Sequence, residues 1–119
     1  MTNPALQLEL VRKALTSGLS NCVIWINDKT ADVVRRNLNL LTLSPNSIRQ
    51  LLIEFAMASG EIRQRREERD IWKDKREFWY CAIIPVAEFK AGVFVEFDLL
   101  DDDPDVPIVA LLNAHEQRE

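Results

Sequence analysis

Glycine is scarce in this 119-residue chain, with three in all. None stands in a GxGxxG, GxSxG or P-loop spacing, so neither nucleotide-cofactor binding through a glycine-rich turn nor serine hydrolysis at a nucleophile elbow has a basis here. Cysteine is scarce too. Cys22 and Cys81 form no CxxC and no metal-ligand spacing, and read as buried thiols rather than a disulfide framework. No apolar run approaches the ~18 to 20 residues that span a bilayer; the longest, "FWYCAIIPVA", is strand-like and far shorter. The opening "MTNPALQLEL" has no basic region followed by an apolar stretch, so no secretory signal is expected and the reading is cytoplasmic. "DDDPD" offers oxygens but lacks the spaced ligands and bidentate glutamate of a calcium loop. No metal and no cofactor is expected.

What remains is a globular composition, 47% hydrophobic and 29% charged, in a length that suits one compact domain over 1–119. The formal net charge is −4, which opposes phosphate binding in total but not in distribution. Between Arg63 and Arg76 stand seven basic residues (Arg63, Arg65, Arg66, Arg69, Lys73, Lys75, Arg76) against four acidic ones (Glu67, Glu68, Asp70, Asp74). Such a run is either a solvated, self-paired charged connection or a seat for a polyanion such as RNA.

The spacing of apolar residues predicts two main helices. The first is capped by Asn3, has Pro4 in its first turn, buries Leu8, Val11, Ala14 and Leu15, and ends at Gly18. The second runs from Leu43 to Gly60, capped by Ser44, with Ile48, Leu51, Leu52 and Phe55 on one face. "NCVIWIN" reads as a strand, and "ADVVRRNLNLL" as a short helix or the return of a hairpin, with helix preferred. Three later strands, "EFWYCAIIPV", "GVFVEFDLL" and "VPIVALLNA", form an antiparallel meander. The expected architecture is α+β, two main helices on one face of a small, mainly antiparallel sheet.

Strand alternation then sorts the faces. Val93, Val95, Phe97 and Leu99 belong under the helices, leaving Phe94, Glu96, Asp98 and Leu100 on the other side. In the last strand Ile108, Ala110, Leu112 and Ala114 share one face, and Val109, Leu111, Asn113 and His115 the other. Glu96 and His115 are thus expected on one open surface. A carboxylate and an imidazole beside cations suit metal-independent RNA cleavage, in which a base takes the 2′-hydroxyl proton, an acid protonates the departing oxygen and a cation holds the phosphorane charge. The candidate catalytic residues are His115, whose free pKa of about 6.5 suits either proton role, Glu96 and Lys73. Arg63, Arg65, Arg66, Arg69 and Arg76 are candidate RNA-backbone ligands, and Trp72 a candidate base-stacking ring. Trp79, in the most apolar strand, is expected in the core.

The order of elements, with the strings "LVRKALTSG", "SPNSIRQLLIEF", "DIWKDK", "GVFVEF" and "IVALLNAHE", resembles the RelE superfamily of toxin endoribonucleases, in particular its MqsR-type mRNA interferases. The resemblance implies RNA as substrate and a small antitoxin protein as partner. By position, a family glutamine falls on Lys73, a catalytic tyrosine on Phe94, a lysine on Glu96 and a late lysine on His115; Arg63 and Arg65 lie close to a further lysine. The departures at Phe94 and Glu96 leave two alternatives, chemistry re-centred on His115 or a fold kept without cleavage. The competing class is a protein-protein interaction module docking through its sheet surface or through the edge left by "VPIVALLNA".

Overall fold

The computed structural model describes residues 3–38 and 43–117. The Asn3 side chain accepts hydrogen bonds from the backbone N–H groups of Ala5 (3.0 Å) and Leu6 (3.3 Å), satisfying donors that a first helical turn leaves unpaired. Helix α1 therefore starts at Pro4 and runs Pro4–Thr16, burying Leu10, Val11, Ala14 and Leu15. Gly18 follows with φ +77. A 3-10 turn, Ser20–Cys22, leads into strand β1, Val23–Trp25. Asn27 accepts from the Thr30 N–H at 2.7 Å and opens helix α2, Asp28–Leu38, so the preferred helical reading of this segment holds over 28–38. Its continuation through 39–41 lies outside the described residues. Ser44 caps helix α3, Pro45–Met57, accepting from Ser47 N–H at 3.1 Å.

Four more strands follow, β2 (Arg63–Arg66), β3 (Phe78–Val86), β4 (Phe89–Asp101) and β5 (Ile108–Glu116). They join β1 in one sheet of order β1-β5-β4-β3-β2, antiparallel except for the parallel β1–β5 pair. Two expectations need correction. Part of the basic run is a strand rather than a connection, because Arg63–Arg66 pairs with Phe78–Cys81 and extended backbone leaves long cationic side chains free to reach water. Nor is β5 an edge, since Val23–Trp25 covers it; the sheet's edges are β1 and β2. The sheet has five strands and the chain three α-helices among the described residues, an enlargement of the expected α+β layout.

Core packing follows the alternation in β4. Val93, Val95 and Phe97 are fully buried, together with Tyr80, Ala82 and Ile84 of β3, against Val11, Leu15, Ile48 and Leu52 of the helices. The Tyr80 and Phe97 rings lie 6.2 Å apart and 21° from parallel, a favourable offset arrangement. Burial pushes the Tyr80 hydroxyl pKa up. Its oxygen accepts from Gln64 Nε2 (3.1 Å), which also donates to the Pro4 carbonyl (2.8 Å). One amide thus ties edge strand β2 to the start of α1.

In β5 the expected alternation fails. Glu96 stands opposite Asn113 but Phe97 opposite Leu111, so β5 carries one extra residue, Leu112, at a bulge. The bulge keeps Val109, Leu111 and Ala114 all in the core and still leaves Asn113 and His115 on the opposite face. Strict period two would have sent Val109 and Leu111 away from the helices.

Early in β4, beside the register shift between Ile84 and Val86 of β3, Gly92 has φ +88; a β-carbon there would stand 2.6 Å from the Ile84 carbonyl oxygen. Gly18 also has positive φ, but with open space around it. We expect Gly92→Ala to lower unfolding free energy by about 2 kcal/mol or more, combining left-handed strain with a backbone collision. Gly18→Ala carries the strain alone and should lose about 1 kcal/mol. Urea denaturation of both variants checks the ranking.

Candidate functional site: a charged cleft on the free sheet face

Alternation along β2, β3 and β4 sends Arg63, Arg65, Trp79, Cys81, Phe94, Glu96 and Asp98 to the face opposite α1 and α3, and the bulge adds Asn113 and His115. The segment between β2 and β3 folds over this face. Glu67 N–H donates to the Glu77 carbonyl (2.9 Å) and closes the loop's neck, while Trp72, Lys73, Lys75 and Arg76 N–H groups bond back to Arg69 and Trp72 carbonyls in successive turns. Arg69, Trp72 and Arg76 are thereby carried onto β4.

Glu67 is the centre of what results. Its side chain is fully buried, and it accepts two hydrogen bonds from Arg69, Nε to Oε1 at 2.8 Å and Nη2 to Oε2 at 2.9 Å. The same Nη2 reaches Glu96 Oε2 at 2.9 Å. Arg76 donates from Nη1 to Asp98 Oδ2 at 3.2 Å, and its Nε stands 3.9 Å from Glu67 Oε2 without a hydrogen bond. Three carboxylates are therefore shared between two guanidiniums. Bidentate, charge-assisted bonding of this kind offsets the desolvation of a buried carboxylate. The hydrogen bonds to Glu67 and Glu96 hold the Arg69 pKa above its ordinary value despite opposing desolvation. Burial pushes the Asp98 pKa up, with Arg76 pulling the other way.

Aromatic rings complete the arrangement. The Arg69 guanidinium lies 5.1 Å from the Trp79 ring centre, Arg76 lies 4.9 Å from that of Trp72, and Lys75 Nζ lies 5.2 Å from the same ring, all within cation–π range. Trp79 is half-buried on the free face rather than in the core, because it sits opposite Arg65 and under Arg69. Two cavities flank these stacks. One, of about 480 Å³, is lined by Arg65, Arg66, Glu68, Arg69 and Trp79. The other, about 500 Å³, opens between Trp72, Lys75 and Arg76 on one side and Asn27 and Thr30 on the other, with Glu96, Asp98 and Asn113 lining it.

The residues expected from sequence to act together are dispersed over this surface. His115 is exposed and stacks on Phe94, with ring centres 4.9 Å apart; the two are direct cross-strand partners. Its Nδ1 lies 2.9 Å from the Glu116 carbonyl, which only accepts, so Nδ1 is the donor of this contact and Nε2 is left for other partners. Glu96 shares the face with His115 but stands opposite Asn113 and is bound to Arg69. Lys73 pairs with Asp70 at 3.3 Å. Of the cations, Arg63 bonds Glu61 at 2.7 Å, Arg66 lies 3.8 Å from Glu77 and over the Phe78 ring, and Arg65 borders the cavity above Trp79. No group of His, Cys, Asp or Glu suited to a metal ion occurs among the described residues.

Glu67, Asp98, Trp79 and Asn113 were not among the sequence candidates. Nothing local distinguishes Glu67 from Glu68 in "RREERD". The one available signal was that Glu96 and Asp98 interrupt the apolar run of β4 at successive outward positions, so a cation had to come from elsewhere to cover them.

We expect Glu67→Ala to lower unfolding free energy by about 3 kcal/mol. That is the lower end for breaking a buried pair, because Arg69 is still reached by water. Tryptophan fluorescence in urea measures the loss, and Glu68→Ala, at an exposed neighbour, should change it by less than about 0.5 kcal/mol.

Compared with known proteins, the chain matches no family model, no curated protein and no solved structure. Its functional reading rests on the geometry above.

Proposed function

We propose that this chain binds single-stranded RNA along strand β2 and across the free face of its sheet, as the RNA-directed component of a RelE/MqsR-like toxin system. One observation carries the reading. On the exposed cationic edge Arg63, Arg65 and Arg66, the last two border the Trp79 cavity, and Arg69 on the Trp79 ring also lines the next cavity, where Trp72 lies against Arg76. A cationic track beside aromatic rings is the general arrangement by which proteins hold single strands, with phosphates paired electrostatically and bases stacked. The three β2 arginines are available because Arg63 pairs with an exposed Glu61, Arg66 meets Glu77 at 3.8 Å without a hydrogen bond, and Arg65 has no ion pair among the described residues. Pairs of exposed cations exchange readily for a phosphate. Arg69 and Arg76 are different. Their charges are already balanced by Glu67, Glu96 and Asp98, so they shape the surface more than they attract RNA. An acidic antitoxin segment would compete for the same β2 cations.

A second reading, RNA cleavage, is favoured by the His115 geometry. A ring whose Nδ1 donates to a carbonyl presents Nε2 as a base, as abstraction of a 2′-hydroxyl proton requires. Glu96 is committed to Arg69, and Lys73, in an exposed pair with Asp70, remains a cation able to meet a phosphate, so the cleavage reading places the proton transfer on His115 alone.

Binding of a fluorescein-labelled uridine oligomer tests the first reading. Affinity should fall roughly twentyfold when salt rises from about 50 to about 200 mM, the response expected for about three phosphate contacts on a single strand. The triple variant Arg63→Ala, Arg65→Ala, Arg66→Ala should remove most of that dependence. Salt-indifferent binding of a protein partner, with no RNA binding, would favour the interaction module instead. For the cleavage reading, induced expression in a bacterial host followed by mapping of mRNA 5′ ends should give discrete new ends that disappear in His115→Ala.

A further inference from the structure

We infer that the 500 Å³ cleft between Trp72 and the β4–β5 bulge is a base-reading subsite selective for guanine; the inference rests on the RNA-binding reading above. Its size falls within the ~300–1,000 Å³ range of small-ligand sites. Its chemistry is more particular than its size. Glu96 and Asn113 are direct cross-strand partners, and both line the cleft. Arg69 engages Glu96 at Oε2, and among the described residues no hydrogen bond reaches Oε1. The Asn113 Oδ1 accepts from the Ala114 N–H at 2.9 Å, which leaves the Nδ2 amino group as the part of this amide able to act on a ligand. A carboxylate acceptor and an amide donor therefore stand side by side at one wall.

Guanine is the RNA base whose pairing edge complements this pair most fully. It carries two adjacent donors, N1–H and N2–H, next to the O6 acceptor. The carboxylate can receive one donor at Oε1 and the other at the second lone pair of Oε2, beside Arg69, while an amide donates to O6. Adenine and cytosine offer one donor beside an acceptor, so they satisfy the carboxylate once. Uracil offers one donor between two acceptors and brings a carbonyl oxygen towards the carboxylate. Trp72, 37% exposed, supplies the ring on which a base can stack. Lys75, exposed at the same rim, suits the phosphate of the nucleotide so held. The bulge belongs to the site as well. The extra residue Leu112 brings Asn113 level with Glu96 while Leu111 and Ala114 stay in the core, and bulges recur where a side chain must be re-aimed. The Glu67–Arg69–Glu96 chain of hydrogen bonds fixes the carboxylate in place, so the acceptor is set before the base arrives.

The test uses the full chain and three labelled RNAs: a uridine 10-mer and the same oligomer with one central guanosine or one central adenosine. Fluorescence anisotropy should show the guanosine oligomer binding about tenfold more tightly than the other two, within the discrimination typical of a bidentate base contact. In Glu96→Gln the ratio of guanosine to uridine affinity should fall close to one, because an amide presents a donor where the base also has one. Since Glu96 also holds Arg69, Asn113→Ala provides a variant outside the ion-pair network, and it should reduce the same ratio severalfold. If the uridine oligomer binds and guanosine adds nothing, the subsite is wrong and the RNA-binding reading stands. A guanosine preference kept in both folded variants would also overturn the subsite. If no oligomer binds, both readings fall together.

Discussion

The burial of one carboxylate, Glu67, organises everything that distinguishes this surface from a bare sheet face. A carboxylate removed from water needs donors on its oxygens, and here they come from Arg69, with Arg76 close by. Because those two guanidiniums also reach Glu96 and Asp98, the loop between β2 and β3 is clasped onto β4 from above. Trp72 rides with Arg76, and Trp79 is covered by Arg69. The cleft and its neighbouring cavity exist because this clasp holds a charged loop against a strand that would otherwise face water.

The division of the basic residues follows from the same constraint. Arg63, Arg65 and Arg66 lie on an exposed edge, whereas Arg69 and Arg76 are enclosed by acids. A run that looks uniform in sequence thus has two physical roles, one set of charges free to attract a polyanion and one set that builds the floor it would meet. Edge placement has a second effect. Long cationic side chains at a sheet edge oppose strand-to-strand aggregation, so β2 can remain an open edge in a folded protein.

Much of the fold was legible because it depends on local spacing. Asn3, Pro4, Ser44 and Pro45 mark their helices at sequence level, and Val93, Val95 and Phe97 declare a buried strand face. The strand formed by Arg63–Arg66 was not legible, since its pairing with β3 depends on long-range register and its composition reads as a charged connection. The β5 faces were misread for a related reason. A single bulged residue reverses alternation beyond it, and nothing in "IVALLNAHE" marks where the extra residue falls. The site was partly legible. The free face, Glu96, Trp72 and the cations could be named, but Glu67 lies in a run of like neighbours, and only the three-dimensional path of the loop tells which glutamate is enclosed.

The parallel pairing of Val23–Trp25 with Val109–Leu111 bears on how the molecule comes into being. The first strand has no neighbour in the sheet until the fifth has been made. Such a pairing closes a very large loop, which slows assembly relative to hairpins formed by adjacent strands. Asn113 and His115 lie on that same late strand. The β2–β3–β4 portion, with its arginine edge, is joined through neighbouring strands and can form first, whereas the surface next to β5 waits for the long loop to close. The folding chain therefore gains its charged edge before it gains its finished face.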